Sequence, residues 1–448
     1  MKRFITLLLP LVISCSASKV ARLENKSMPD FEPPIVTEVK LPNGLTCFLL
    51  EDHALPVVNV SALTKVGNIY EPANKLGLAT LTGALLRDGG VKGLTPAALD
   101  KRIDGLGLTL TSSIDRETGS VNLKSLSKVF PEAFKLFAAV LFQPSFADER
   151  LQISKAKLLE EIRRIENKPS SVASYKFSQM LYGEKSPWAR RPSAQSVSKI
   201  TRSDLQGFHQ RYFVPSNMMI AISGDFNSQQ VLALLKEYTK DYKLQTIIFP
   251  QLDPVKFTLL PQIKHIKKDT NQSFIRVGHF GIKRDNPDRF AIAVMNMILG
   301  GNNFTSRLMH EIRVEKGLSY GVSSSFHGAT DYGLFEVATA TKLSSTEEVL
   351  DIIKENVASL TLDAKIIQEE LDFAKRSTLN RLVFQFDQPA KVLAQRLFYR
   401  FYDRPDDYWK VYKHEIERVS LQDVQRVAKT YLHPENLSIL VVGPQAYK

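Results

Sequence analysis

A helical zinc site needs two histidines one turn apart, as in HExxH or its inversion HxxEH, because that spacing points both imidazoles at one ion. This chain carries eight histidines, at His53, His209, His265, His279, His310, His327, His414 and His433. The nearest two in sequence, His265 and His279, are 14 residues apart. No local pair exists, and the two cysteines, Cys15 and Cys47, cannot supply a thiolate set in its place. A serine nucleophile is the second chemistry to weigh. Gly317-Leu318-Ser319-Tyr320-Gly321 spells G-x-S-x-G, a motif that works only as a strand–turn–helix elbow. Here a helical pattern, Thr305–Glu315 with apolar Leu308, Met309 and Ile312, comes first, and a strand pattern, Gly321–Phe326, follows. The order is reversed, so Gly317 reads as a helix C-cap and the motif does not form a nucleophile elbow.

The elements that would carry such chemistry lie in a chain of 448 residues, 44% hydrophobic and 24% charged. That is the profile of a soluble globular protein with more than one domain. The formal charge is +12. Basic residues are interleaved with acids and never run longer than two, so a solvated basic surface is expected rather than a nucleic-acid site. Lys2 and Arg3 followed by apolar Phe4–Ile13 read as a secretion signal, ten residues being half of what spans a bilayer. It ends Val12-Ile13-Ser14-Cys15, which resembles a bacterial lipobox, with Cys15 as the acylated residue. The alternative is a plain signal peptide with an incidental cysteine. Ser16 after Cys15 implies, by the same resemblance, a periplasmic protein anchored in the outer membrane. Cys47 then has no partner and reads as a small hydrophobe in a strand.

Downstream, strand patterns at Val36–Leu41 and Leu45–Glu51 flank the turn Pro42-Asn43-Gly44. Strand Val57–Val66, an apolar helix Leu76–Leu86 stopped by Gly89-Gly90, a hairpin Leu108–Ser113/Gly119–Leu123 and long amphipathic helices then lead to strand Met218–Ser223. The chain also repeats itself. Asp204 and Asp423, Tyr212 and Tyr431, Pro215 and Pro434, Asn217 and Asn436, Ile220 and Ile439, and Gly224 and Gly443 all stand 219 residues apart. Each unit is a helix, a Pro-Xaa-Asn turn and a buried strand ending in glycine. Two copies of one α+β domain follow, joined through Pro250, Pro254 and Pro261. Two such halves facing each other enclose a chamber, where ligand sites favour the interface.

Several segments together resemble the pitrilysin/insulinase family of zinc metallopeptidases: Leu41-Pro42-Asn43-Gly44-Leu45, Gly67 to Pro72, Gly77-Leu78-Ala79, Leu159 to Arg164, Asn217 to Phe226, Leu299 to Asn302, Ser306-Arg307-Leu308, and Glu311-Ile312-Arg313 through Tyr320. The resemblance covers about residues 35 to 444. It implies two duplicated, LuxS/MPP-like metallopeptidase-homologue domains, each a mostly antiparallel sheet packed with helices, facing each other around a chamber. The expected division is 1–14 signal peptide, 15–34 lipidated tether, 35–243 first domain, 244–262 linker and 263–448 second domain. In the family, Gly-Leu-Ala leads into HxxEH, with a third ligand Glu on a later helix. Here the corresponding positions hold Thr80, Gly83 and Ala84, and only Glu161 survives. One carboxylate does not hold Zn²⁺ against water, so no cofactor is expected in this chain. Arg313 and Tyr320 match the family's Arg/Tyr pair, which reaches toward the scissile peptide to stabilise its oxyanion. In two-chain members one subunit carries HxxEH and a degenerate one supplies this pair. The resemblance therefore implies a non-zinc subunit acting on peptide substrates with a homologous, HxxEH-containing partner that holds the zinc. The alternative is a catalytically inactive scaffold or peptide-binding lipoprotein.

Overall fold

Turn chemistry sets the first sheet. In the computed structural model, which describes residues 32–301, 304–362 and 366–444, Pro42-Asn43-Gly44 closes a hairpin between β1 (Thr37–Lys40) and β2 (Thr46–Glu51). Gly44 takes φ +91° there, and the Leu45 amide donates to Asn43 Oδ1 at 3.2 Å. β3 (Val57–Lys65), β4 (Thr109–Ile114), β5 (Thr118–Leu126) and β6 (Met218–Gly224) complete a sheet ordered β1-β2-β6-β3-β5-β4. The β2–β6 pair is parallel and the others antiparallel.

Alternation along these strands divides two environments. Val58, Val60 and Ala62 of β3 and Val121 and Leu123 of β5 point into one core. Covering that face are α1 (Leu78–Asp88), α2 (Pro96–Gly105), α3 (Phe130–Phe142) and α4 (Asp148–Asn167). After α5 (Pro169–Tyr182), the short α6 (Ala194–Ser198), α7 (Arg202–Tyr212) and α8 (Ser228–Tyr238) add to it. Cys47 lies fully buried in β2, its thiol pushed up to about 12 by burial. Residues 242–262 carry no helix or strand. They are nonetheless tied down, Arg211 donating to the Ile248 carbonyl at 2.8 Å and Ser216 to that of Gln245 at 2.7 Å.

The second half rebuilds the pattern with β7 (Ile263–Lys267), β8 (Gln272–Phe280), the two-residue β9 (Ile282–Lys283), α9 (Arg289–Asn296), α10 (Arg307–Met309) and β10 (Val322–Phe326). Next come β11 (Gly328–Ala329), β12 (Leu334–Lys342), α11 (Thr346–Thr361), α12 (Gln368–Val383), α13 (Pro389–Phe401), α14 (Tyr408–Arg418), α15 (Leu421–Tyr431) and β13 (Ser438–Gly443). Its sheet runs β10-β12-β8-β13-β7, with β13–β7 the parallel pair. Strand for strand this is β4-β5-β3-β6-β2 again, so the duplication read at a spacing of 219 is a duplication of topology. Pro215–Asn217 and Pro434–Asn436 form the same single 3₁₀ turn before β6 and β13.

Each half also lends a helix to the other. α5 packs Val172, Ala173 and Phe177 on Leu440 and Val442 of β13. α13 packs Val392, Leu393 and Leu397 on Phe48 and Leu50 of β2 and Ala221 of β6. Val172 and Val392, Ala173 and Leu393, and Phe177 and Leu397 are all 220 residues apart, so the exchange obeys the repeat. A fully buried large apolar side chain is worth about 1.5–3 kcal/mol. The two exchanged faces thus bind the halves by several kcal/mol, and contacts from Pro33 onward form one compact unit. At the tip of the β4–β5 hairpin, Glu117 accepts from Arg284 Nη2 at 3.1 Å and from the Thr330 hydroxyl. Tyr182 donates to the Tyr332 carbonyl at 2.6 Å.

One element departs from its sequence pattern. Thr305–Glu315 is not a regular amphipathic helix: α10 is three residues long and His310–Glu315 follows as a wide turn with i→i+5 bonding. A π turn holds one more residue than an α turn. Ile312 stays fully buried while Arg313 stands half-buried and Val314 exposed.

Candidate functional site

α1 carries the face where the family would hold zinc. Its inward stripe, Leu78, Leu81, Leu85 and Leu86, follows the helical period and is buried. Its start is built by Gly77, at φ +103°, and by the buried Glu71. The Glu71 carboxylate accepts from the Gly77 amide at 3.2 Å and the Ala79 amide at 2.5 Å, partnering N–H groups that a helix start leaves free. Burial pushes its pKa up to about 7, against the pull of those amides and of Arg190. Arg190 Nη2 donates to the carbonyls of Asn68, Ile69 and Glu71 at 2.7–3.1 Å, fixing the loop that leads into α1.

On the other face of α1, exposed Thr80 and half-buried Ala84 line an open cleft of about 700 Å³, shared with Asn68, Ser112, Ser113, Asp115 and Arg116. Gly83 lies between them, buried against β4. A Cβ there would sit 2.4 Å from the Ile114 nitrogen and 2.8 Å from the Ser113 carbonyl carbon. The Ser112 hydroxyl donates to the Gly83 carbonyl at 2.6 Å and accepts from the Arg87 amide at 3.2 Å, stitching strand to helix at this turn. Thr80, Gly83 and Ala84 offer no imidazole or carboxylate, and the middle position has no room for one. Glu161, on α4, is paired with Arg164 at 2.6 Å and is not among the cleft-lining residues. These residues do not fit a zinc ion. Among the described residues no group of three or more His, Cys, Asp or Glu is placed to hold a metal.

Several histidines are engaged elsewhere. His209 and His279 are buried and pushed down to about 4 by desolvation. His279 Nε2 accepts from the His433 amide at 3.2 Å, and His53 pairs with Asp225 at 2.6 Å on the surface. Ser319 is structural: its hydroxyl reaches the carbonyls of Gly321 and Ala340 at 2.9 and 2.7 Å and Thr339 Oγ1 at 2.9 Å. Gly317 ends the preceding turn at φ +60°, as a C-cap glycine does.

Arg313 and Tyr320 are brought together. The guanidinium carbon lies 4.8 Å from the centre of the Tyr320 ring and 5.2 Å from that of Phe304. A cation stacked on aromatic faces is held in place without losing its charge. Tyr320 is 89% exposed, and its hydroxyl meets no hydrogen-bond partner among the described residues. Phe304, 63% exposed, was not singled out in sequence; an aromatic residue nine positions before Arg313 carried no periodic signal. Glu71 and Arg190 were also missed as determinants, although Glu71 sits inside a recognisable segment. Cys15 lies outside the described residues. No helix among those described is long and apolar enough to cross a membrane.

Residues 47–186 match the family profile described as "Insulinase (Peptidase family M16)", and residues 199–378 match "Peptidase M16 inactive domain". An uncharacterized zinc protease of Mycobacterium bovis is 26% identical over 422 residues, covering 91% of this chain and 93% of that protein. The non-peptidase homolog YmxG of Helicobacter pylori is 26% identical over 463 residues, covering 99% of each. Among solved structures, a peptidase M16 inactive domain from Pseudomonas fluorescens aligns with TM-score 0.82 at 26% identity, covering 93% of this chain and 99% of that one. The periplasmic protease PqqL of Escherichia coli aligns with TM-score 0.76 at 16% identity, covering 99% of this chain and 49% of that one.

Proposed function

Because the chain belongs to the insulinase, or M16, peptidase family and has lost that family's zinc ligands, we propose that it is the non-zinc subunit of a two-chain periplasmic peptidase. It lends wall, substrate contacts and the Arg313–Tyr320 pair to a homologous, HxxEH-bearing partner that holds the zinc. The observation that carries this reading is Tyr320, whose ring is 89% exposed and whose hydroxyl is free among the described residues. A tyrosine kept for packing would bury its ring. Aligned by Arg313, this phenol suits donation of a hydrogen bond to a developing oxyanion on a peptide held between the subunits. The test is peptide cleavage by the mixed subunits, run beside gel filtration, with Tyr320→Phe in place of the wild-type chain. Loss of turnover by an intact complex supports the role; unchanged turnover removes it.

A second reading, a catalytically inactive scaffold or peptide-binding lipoprotein, is supported by the Helicobacter relative's description as a non-peptidase homolog, while the closed turn at Gly83 suits either reading. Either reading places the chain in the periplasm, anchored to the outer membrane through an acylated Cys15. Cys15→Ala should abolish labelled palmitate incorporation and release the protein from membranes; a variant still labelled or still membrane-bound refutes the anchor.

A further inference from the structure

The first sheet turns one face from its own core, and its strand register sets out what that face offers. Thr109 pairs with Lys124, Lys124 with Asn59, and Asn59 with Ser223, making one row across β4, β5, β3 and β6. The next row is Thr111, Asn122, Ser61 and Ala221. Side chains at directly opposed positions stand about 5 Å apart on one face, so the two rows make a floor of hydroxyls, carboxamides and one ammonium, ending at the methyl group of Ala221. The helix lent by the second half walls one side: the first turns of α13 present Ala390, Leu393 and Ala394. A pocket of about 280 Å³ results.

Its chemistry is lopsided. No carboxylate lines it, and Lys124 is its one charge. Lys124 is exposed and makes no ion pair or hydrogen bond with another described side chain. Ser61 donates to Asn122 Oδ1 at 2.7 Å, which occupies the amide's acceptor. The Asn122 amino group is left with only a long 3.5 Å approach to Ser120. The small Ala390 and Ala394 leave the side of α13 close to the floor and keep the pocket open.

We propose that this pocket binds a carboxylate of a peptide, either an acidic side chain or a free C-terminus. A single ammonium among neutral donors balances one negative charge. A phosphate dianion would call for more cations, and arginine's bidentate fork above all. The inference rests on the reading that the chain contacts peptides and names the kind it prefers.

Four alanine-rich hexapeptides with a neutral dye at the N-terminus test it by fluorescence anisotropy on the mature chain at low salt. One has an internal Glu and an amidated end, one Gln with an amidated end, one Gln with a free C-terminus, and one Lys with an amidated end. A carboxylate-bearing peptide should bind about two- to fivefold tighter than the neutral amide, and which of the two does so identifies the source. Lys124→Gln should erase the preference. Ala394→Leu, which fills the pocket without changing charge, should weaken the preferred peptide to a similar degree. Circular dichroism of both variants should match the wild type. Equal affinity for all four peptides, no binding, or a preference surviving Lys124→Gln overturns the proposal. The two-chain reading is judged separately by the turnover of the Tyr320→Phe complex, so either can fail while the other stands.

Discussion

The turn around Gly83 and the turn around Tyr320 have opposite characters. At Gly83, helix and strand approach until no Cβ fits, and the Ser112 hydroxyl bridges the gap. At Tyr320 the main chain is just as well anchored, through Ser319 and the cap at Gly317, yet the tyrosine ring itself stands in solvent. One half has closed against the middle position of the lost motif, although the cleft beside it stays open; the other keeps a hydroxyl free on a rigid base. The lesson is that a lost metal motif is more than three changed letters. Once glycine replaces the carboxylate, the neighbouring strand can settle into the vacated volume, and packing then opposes the reverse substitution.

The largest effect expected is on the open turn. Tyr320→Phe in an assembled complex should lower turnover about 10²- to 10³-fold, the typical cost of one oxyanion donor, with assembly intact. Cleavage assays beside gel filtration read both quantities. On the closed turn, Gly83→Glu restores the letter of the family motif but should destabilise the chain by about 3 kcal/mol or more, through overpacking and burial of a charge. Thr80→His, at an exposed position of the same helix, should stay within about 0.5 kcal/mol. Urea midpoints for the pair decide whether packing has closed this face; a stable Gly83→Glu protein would erase the contrast.

A pH profile sharpens the comparison further. The Glu71 carboxyl is raised from 4.5 to about 7 by burial at the start of α1. A carboxyl raised in the folded state gives stability that is complete below its unfolded value and declines as pH climbs toward 7. Glu71→Gln should flatten that decline, a difference of about 3 kcal/mol across the window, measured by urea denaturation at several pH values. An unchanged slope would assign the decline to other groups. The smallest effect is at Arg313. Arg313→Lys keeps the charge but loses the flat guanidinium that lies over the rings of Phe304 and Tyr320. It should lower turnover only about two- to fivefold, the worth of an exposed cation–π contact. A loss as large as that of Tyr320→Phe would instead give Arg313 a direct part in the chemistry.

Much of this was legible beforehand. Strand alternation and helical period located the sheet and helix patterns of the first half, since a half-buried strand must alternate and an amphipathic helix must repeat near 3.6. The replacement of the two histidine ligands by Thr80 and Ala84 and of the base carboxylate by Gly83, and the spacing of Arg313 and Tyr320, were in the letters. The irregular turn at His310–Glu315 was not, because its apolar residues fit an α-helix equally well. Nor was Phe304 as a third member of the Arg313 stack, since residues nine apart are not neighbours on any regular helix.

The sequence by itself determined the duplication, through identities 219 residues apart, and the lack of an HxxEH pattern, through residues 80, 83 and 84 that carry no imidazole or carboxylate. The tertiary structure decided what closes against what. That α5 lies on β13 and α13 on β2 and β6, that β4 occupies the space beside Gly83, and that α13 walls the Lys124 pocket are all contacts between segments far apart in the chain. Hydrophobic period marks which face of an element is buried but carries no information on its partner. That choice belongs to the packing of the whole, where shape and volume are matched across distant segments.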